Sequence, residues 1–216
     1  MTPFYWRLAK FGFRLLYNEM AFTYDAVSWI VSLGEWRSWQ RAALGHLNVS
    51  PGACVLELAH GTANLQIDLR TAGLESVACD LSPYMSQIAR RKLRRHRITP
   101  KLIRARAEAL PFSNSSFPAV VSTFPTDFII DPATLSEVYR VLKPGGRLVF
   151  VPNGVLTGGG VARQSLEVAY RATRQRGPWP IRIEERFTAA GFKISRVVEP
   201  CRMSVAYVVI AEKQLL

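Results

Sequence analysis

The 216-residue chain is expected to form a doubly wound α/β fold, a mostly parallel sheet with helices on both faces. Three observations lead there. Strand-like and helix-like segments alternate through the middle of the chain, as a parallel sheet with crossover helices requires. Val55-Leu56-Glu57-Leu58 is an apolar run holding one acid, the pattern of a strand buried on both faces, and a turn of small residues and a helix follow it. A second strand, Ser76-Val77-Ala78-Cys79, then delivers Asp80 beside that turn, 23 residues after Glu57.

The elements follow in order. A helix is expected at about 3–17 and connecting helices at about 22–47, then strand 53–58, helix 62–72, strand 75–80 and helix 83–96. Ser82 is placed to cap that last helix and Pro83 to open it. Strands at 101–106 and 118–124 follow, with a helix at 131–142 between Asp131-Pro132 and the glycine stop Lys143-Pro144-Gly145-Gly146. Strand 146–151, a glycine link at 158–160, a basic helical segment at 161–176, a helix at 181–190 and strands 192–198 and 203–212 finish the chain. We divide it into an N-terminal helical segment, 1–48, serving as lid or membrane contact, and a catalytic-type domain, 49–216.

The turn after the first strand carries the chemistry. Small residues let the backbone approach a ligand and aim unpaired helix N–H groups at it. Asp80, beside them, is placed to accept both hydroxyls of a ribose. Together they describe a pocket for an adenosine-bearing cofactor at the carboxyl ends of the strands. Glycine spacing narrows the choice. A dinucleotide fingerprint read from Ala59 gives Ala59, Gly61 and Asn64 and fails at its third place. Read as acid-x-small-x-Gly-x-small, the frame is filled by Glu57, Ala59, Gly61 and Ala63.

That second frame resembles motif I of the class I S-adenosylmethionine-dependent methyltransferases, with alanine in place of glycine at 59 and 63. Further blocks match the same family in order. DLSPYMSQIARRKL (80–93) resembles its second block. AEALPFSNSSFPAVVS (107–122) resembles its third, in which the pair Ala107-Glu108 lies against the adenine. EVYRVLKPGGRLVFV (137–151) and Ala190-Gly191-Phe192 resemble its later turns. The entry segment YDAVSWIVSLGEWRSWQR (24–41) is loosely similar to that of the quinone-biosynthesis C-methyltransferases, although Ser28 stands where that group usually has asparagine. The resemblance implies a Rossmann-like seven-stranded sheet whose final strand inserts antiparallel. It also implies S-adenosylmethionine as cofactor, S-adenosylhomocysteine as product and no metal. The cofactor residues it implies are Tyr24, Glu57, Ala59, His60, Gly61, Asp80, Leu81, Arg106, Ala107, Glu108 and Thr123. Many relatives carry an acid at position 106. Arginine has only donors, so either Glu108 takes the adenine amino group, or Arg106 stacks on the ring, or Arg106 is a solvated strand-end residue. His60 is read as a loop residue of the turn rather than a catalyst.

Asp127 is the only titratable group in Phe124-Pro125-Thr126-Asp127-Phe128, the loop where family members place substrate-facing residues. It is the candidate catalytic residue, as general base or amine orienter, with a water-exposed loop acid as the equal alternative. The acceptor is expected to be small and lipophilic, a quinol, lipid or polyketide. The alternative is a catalytically degenerate member kept as a binding or partner module, for which Ala59, Ala63 and Arg106 would be signs of decay.

Composition bounds the partners. Three cysteines (54, 79 and 201) and three histidines (46, 60 and 96) lack metal-ligand spacing, and buried reduced thiols fit a cytoplasmic protein. The net charge is +12, and Arg90 to Arg106 holds nine Lys or Arg and no acid. Such a face attracts an anionic membrane or nucleic acid, or is simply solvated. Nucleic acid is disfavoured because no aromatic residue interleaves the run. At the N-terminus Phe4, Leu8, Phe11 and Leu15 share one helix face beside a basic stripe of Arg7, Lys10 and Arg14. That pattern suits a helix seated at a membrane interface, a lid over the substrate pocket or a dimer contact. A peripheral position on the inner face of the membrane follows from the first of these.

Overall fold

The computed structural model describes residues 23–157 and 183–214. The expected helices at 3–17 and 161–176 and the link at 158–160 lie outside the described residues.

Seven strands form one sheet in the order β3-β2-β1-β4-β5-β7-β6. They are β1 (Cys54–Leu58), β2 (Glu75–Asp80), β3 (Leu102–Arg104), β4 (Phe117–Thr123), β5 (Leu142–Leu156), β6 (Phe192–Pro200) and β7 (Ser204–Lys213). β1 to β5 are parallel, and β7 lies antiparallel between β5 and β6, as the resemblance implied. The helices are α1 (Tyr24–Val31), α2 (Trp36–Arg41), α3 (Asn64–Thr71), α4 (Pro83–Arg95), α5 (Pro132–Val141) and α6 (Ile183–Ala189).

Alternation along the strands splits the core into two layers. Leu56, Leu58 and Phe150 pack on one face with Leu135 of α5 and Phe187 of α6. Val55, Val121 and Val149 pack on the other with Trp39 of α2 and Leu65 of α3. Successive residues facing opposite ways and all buried is the condition of a parallel sheet covered on both sides. α2 is placed by polar clamps reaching across the chain. Buried Asp68 on α3 accepts from Arg37 Nε at 3.1 Å and Arg41 Nε at 2.8 Å. Buried Glu35 accepts from the Ser204 hydroxyl at 2.6 Å, and that hydroxyl in turn accepts from Trp39 Nε1 at 2.8 Å.

Local signals set the helix starts. Ser82 Oγ accepts from the Met85 amide at 3.2 Å, and Asp131 Oδ1 from the Ala133 amide at 2.8 Å, with proline at the first helical position in both. One boundary is corrected. α5 stops at Val141 and β5 begins at once, so Pro144-Gly145-Gly146 is not a helix stop but lies where the β4–β5 register shifts. Gly146 serves close packing there, since a Cβ on it would stand 2.8 Å from the Pro118 carbonyl oxygen.

Candidate active site

A cavity of about 400 Å3 opens beyond the carboxyl ends of β1, β2 and β4. This is where chain order reverses across the sheet, the usual ligand crevice of an open α/β fold. β1 runs into a turn in which Ala59, Gly61 and Ala63 all take left-handed backbone, with φ of +55°, +52° and +65°. An L-residue in that region costs roughly 1–2 kcal/mol, and two alanines accept it here. Ala63 is fully buried and packs with Ile67, Ala89 and Leu93 between α3 and α4, which offsets its strain. Gly61 lines the cavity, and a Cβ built on it meets no protein atom within 4 Å. A side chain there would occupy ligand space.

Asp80, at the end of β2, faces this turn. Its Oδ2 accepts from the Gly61 amide at 3.0 Å and its Oδ1 from the Ser82 amide at 2.8 Å. Each carboxylate oxygen retains a second lone pair, the acceptor set a vicinal diol needs. Leu81, Ala107 and Glu108 line the same end. The opposite end is formed by Tyr24, Phe124, Pro125, Thr126 and Phe128. Phe124 has φ of +52°, a strained backbone for an aromatic residue, and is held by its amide donating to the Val151 carbonyl at 2.7 Å. Its ring stacks on Trp36 at 3.8 Å between centroids, and Tyr24 meets Trp36 edge-on at 6.3 Å. Thr123 lines the cavity between the two ends, and its hydroxyl accepts from Gln40 Nε2 at 3.1 Å.

The structure therefore gathers Tyr24, Ala59, Gly61, Asp80, Leu81, Ala107, Glu108 and Thr123 around one space. Four other candidates stand outside its lining. Glu57 is buried beneath the turn, where Gln66 Nε2 donates to it and Ser76 donates to Gln66. Burial pushes its carboxyl up to about 8 against the opposing bond from Gln66, with Asp80 and Asp68 adding to the rise. His60 is buried too. Its Nδ1 lies 2.8 Å from the Gly61 carbonyl and donates to it, and burial lowers its pKa, so it braces the turn as a neutral ring. Arg106 points outward, with its Nε 3.7 Å from Glu108 Oε2. Asp127 opens a 3-10 turn, Asp127–Ile130, and is exposed, while its neighbours Thr126 and Phe128 face the cavity. Sequence reasoning missed Ser82 and the stack of Trp36 on Phe124 as parts of the site. The Phe124-Pro125 break after an apolar strand was the available signal.

Among the described residues no group of His, Cys, Asp or Glu is arranged to hold a metal ion. No helix among them is long and apolar enough to cross a membrane.

A doubly wound sheet with an antiparallel seventh strand, and an aspartate at the end of β2 facing a turn of small residues, is the fold of the class I S-adenosylmethionine-dependent methyltransferases. Among solved structures the chain resembles a SAM-dependent methyltransferase of Methanosarcina mazei, with a TM-score of 0.58 and 19% identity, covering 80% of this chain and 98% of that one. The sequence profile of the ubiE/COQ5 methyltransferase family matches residues 10–172, and the chain belongs to that family. It is 40% identical over 136 residues to a demethylmenaquinone methyltransferase of Beutenbergia cavernae, covering 62% of this chain and 55% of the relative. It is 36% identical over 135 residues to one of Paenarthrobacter aurescens, covering 62% and 52%. The match thus spans little more than half the length of these relatives.

Proposed function

We propose that the chain transfers a methyl group from S-adenosylmethionine to a small lipophilic acceptor, with a quinol ring as the first candidate. The observation that carries this reading is the division of the cavity. Its acids, Asp80 and Glu108, sit at one end, and the other is walled by Tyr24, Phe124, Pro125, Thr126 and Phe128 with no carboxylate, amine or guanidinium. A polar end suits a nucleoside and an aromatic end suits a flat apolar ring. The names of the relatives, demethylmenaquinone methyltransferases, support the same acceptor class.

When bound, the cofactor supplies an electrophilic sulfonium methyl. The chain's own residues hold and exclude. Asp80 would take the ribose hydroxyls, Leu81 and Ala107 would cover the base, and Glu108 would accept from its amino group. Tyr24, Phe124 and Phe128 keep water from the acceptor and hold it within reach, which by itself lowers the barrier. The turn adopts its left-handed geometry with alanine at both places, which favours a working site over a decayed one.

The test is transfer of labelled methyl to demethylmenaquinol, expected for the wild type. Asp127→Asn should retain activity within about threefold, because Asp127 lies outside the lining, whereas loss of a general base typically costs ~10²–10⁴. A hundredfold loss would instead make Asp127 the base. A protein that binds S-adenosylhomocysteine yet methylates no quinol would return the reading to the non-catalytic alternative.

We propose also that the protein works at the cytoplasmic face of an anionic membrane. Exposed Arg90, Arg91, Arg94, Arg95 and Arg97 on and after α4 have no carboxylate partner among the described residues. Each basic group near an anionic surface contributes about 1 kcal/mol. Cosedimentation with phosphatidylserine vesicles should therefore be strong at low salt, fall as salt screens the arginines, and fall further on deleting residues 1–17. Indifference to such vesicles at low salt would leave the arginines as a solvated face.

A further inference from the structure

Lys92 differs from the other basic residues of α4. It is partly buried, and all three of its ammonium donors are used, on Asp25 Oδ2, on Thr62 Oγ1 at 3.2 Å and on Asn64 Oδ1 at 2.8 Å. Asp25 is equally engaged. Its second oxygen accepts from the Thr62 hydroxyl at 2.6 Å and from Asn64 Nδ2 at 3.1 Å. Four side chains from three places thus close a network in which every donor of the lysine has an acceptor. Asp25 comes from α1, Thr62 and Asn64 from the turn and first residue of α3, and Lys92 from the last turn of α4.

The network's neighbours are cavity residues. Asp25 follows Tyr24, which lines the aromatic end, and Thr62 follows Gly61, which lines the nucleoside end and donates to Asp80. α1 is otherwise lightly tied to the sheet, with Ser28 its one buried residue and Trp29 and Ile30 exposed. A lysine has the compact, tetrahedral donor set this junction needs, where the planar fork of arginine would not fit three acceptors lying around one point.

We infer that Lys92 is a positioning residue of the active site, a latch that holds Asp25 and with it Tyr24 over the cavity while bracing the turn at Thr62. Cofactor retention then depends on a side chain that does not line the cavity. The inference rests on the reading of that cavity as the S-adenosylmethionine site. It also separates one lysine from a run of arginines that sequence pattern alone groups together.

The experiment measures binding and release of S-adenosylhomocysteine by the full chain, together with melting temperature, for wild type, Lys92→Met, Asp25→Asn and the double variant. Lys92→Met is expected to raise the dissociation rate about tenfold, the size expected for losing a charge-assisted bond. Asp25→Asn keeps the side chain's shape and should raise the rate in the same direction. The double variant should be no worse than the more impaired single one, because both remove one junction. A lowered melting temperature with an unchanged dissociation rate would make Lys92 a merely structural tie and overturn the inference. Additive effects of the two substitutions would overturn it as well. A wild type that binds no S-adenosylhomocysteine would overturn the cofactor reading and the latch together, whereas wild-type binding with indifferent variants would overturn the latch alone.

Discussion

Asp80→Ala should weaken S-adenosylhomocysteine binding by at least a hundredfold, more than the loss of one ligand contact. Charge-assisted hydrogen bonds to a diol are worth roughly 1.5–3 kcal/mol each, and the ribose offers two. The same carboxylate also holds the Gly61 and Ser82 amides at 3.0 and 2.8 Å. Its removal therefore leaves two backbone donors without their partner on a turn already bent into left-handed geometry. Asp80→Asn is expected to be nearly as poor. The amide keeps one acceptor oxygen but points an NH2 group at a backbone N–H where the second oxygen accepted. Isothermal titration against wild type checks this, and an affinity within threefold for the alanine variant would remove Asp80 from the ribose role. Melting curves with and without ligand give an independent reading, since a ligand that binds only the folded state raises the midpoint by mass action.

The second large effect concerns stability. Trp39 is 1% exposed and lies flat on the backbone of β5, where a Cβ on Gly154 would come within 2.2 Å of its ring. Its Nε1 donates to Ser204, which is bonded in turn to buried Glu35. Trp39→Ala should cost about 3–5 kcal/mol, the range for deleting a buried aromatic side chain. At roughly 2–4 °C per kcal/mol for a domain of this size, the midpoint should fall by about 6–20 °C. Gly154→Ala should also be severely destabilising, by overpacking the same contact. The two defects share one space, so Gly154→Ala should do much less harm in the Trp39→Ala background than in wild type. Chemical denaturation of the four proteins measures this coupling. Strict additivity would mean the indole and the glycine do not meet.

What the sequence made legible is local. The turn at 59–63 and the caps Ser82 and Asp131 depend on residues a few places apart, and Asp80 follows from one strand–helix–strand unit, so the structure places all four as expected. The seven-stranded order was legible only through family resemblance, because nothing in β7 by itself says that it enters between β5 and β6. What could not be read is long-range polar pairing. Arg37 and Arg41 meet Asp68 across the α2–α3 packing, Glu35 meets Ser204 at the far end of the chain, and Lys92 meets Asp25. A charged residue on a helix face shows no periodicity that distinguishes a partner from water. Asp127 and Glu57 show the same limit from the other side. Asp127, in the expected loop, is exposed and outside the cavity lining, and Glu57, buried near the end of β1, accepts from Gln66 of α3.

The indole of Trp36 has a further use. It stacks on Phe124 and meets Tyr24 edge-on, and both of those rings border the space where an acceptor would sit. Any flat molecule that enters must change the surroundings of one or both neighbours, and so the polarity felt by the indole between them. Tryptophan emission from the unlabelled protein thus becomes an optical gauge of acceptor arrival, with a Trp36→Phe protein as its blank. Screening candidate acceptors by that signal would not require knowing in advance which atom of the acceptor takes the methyl group.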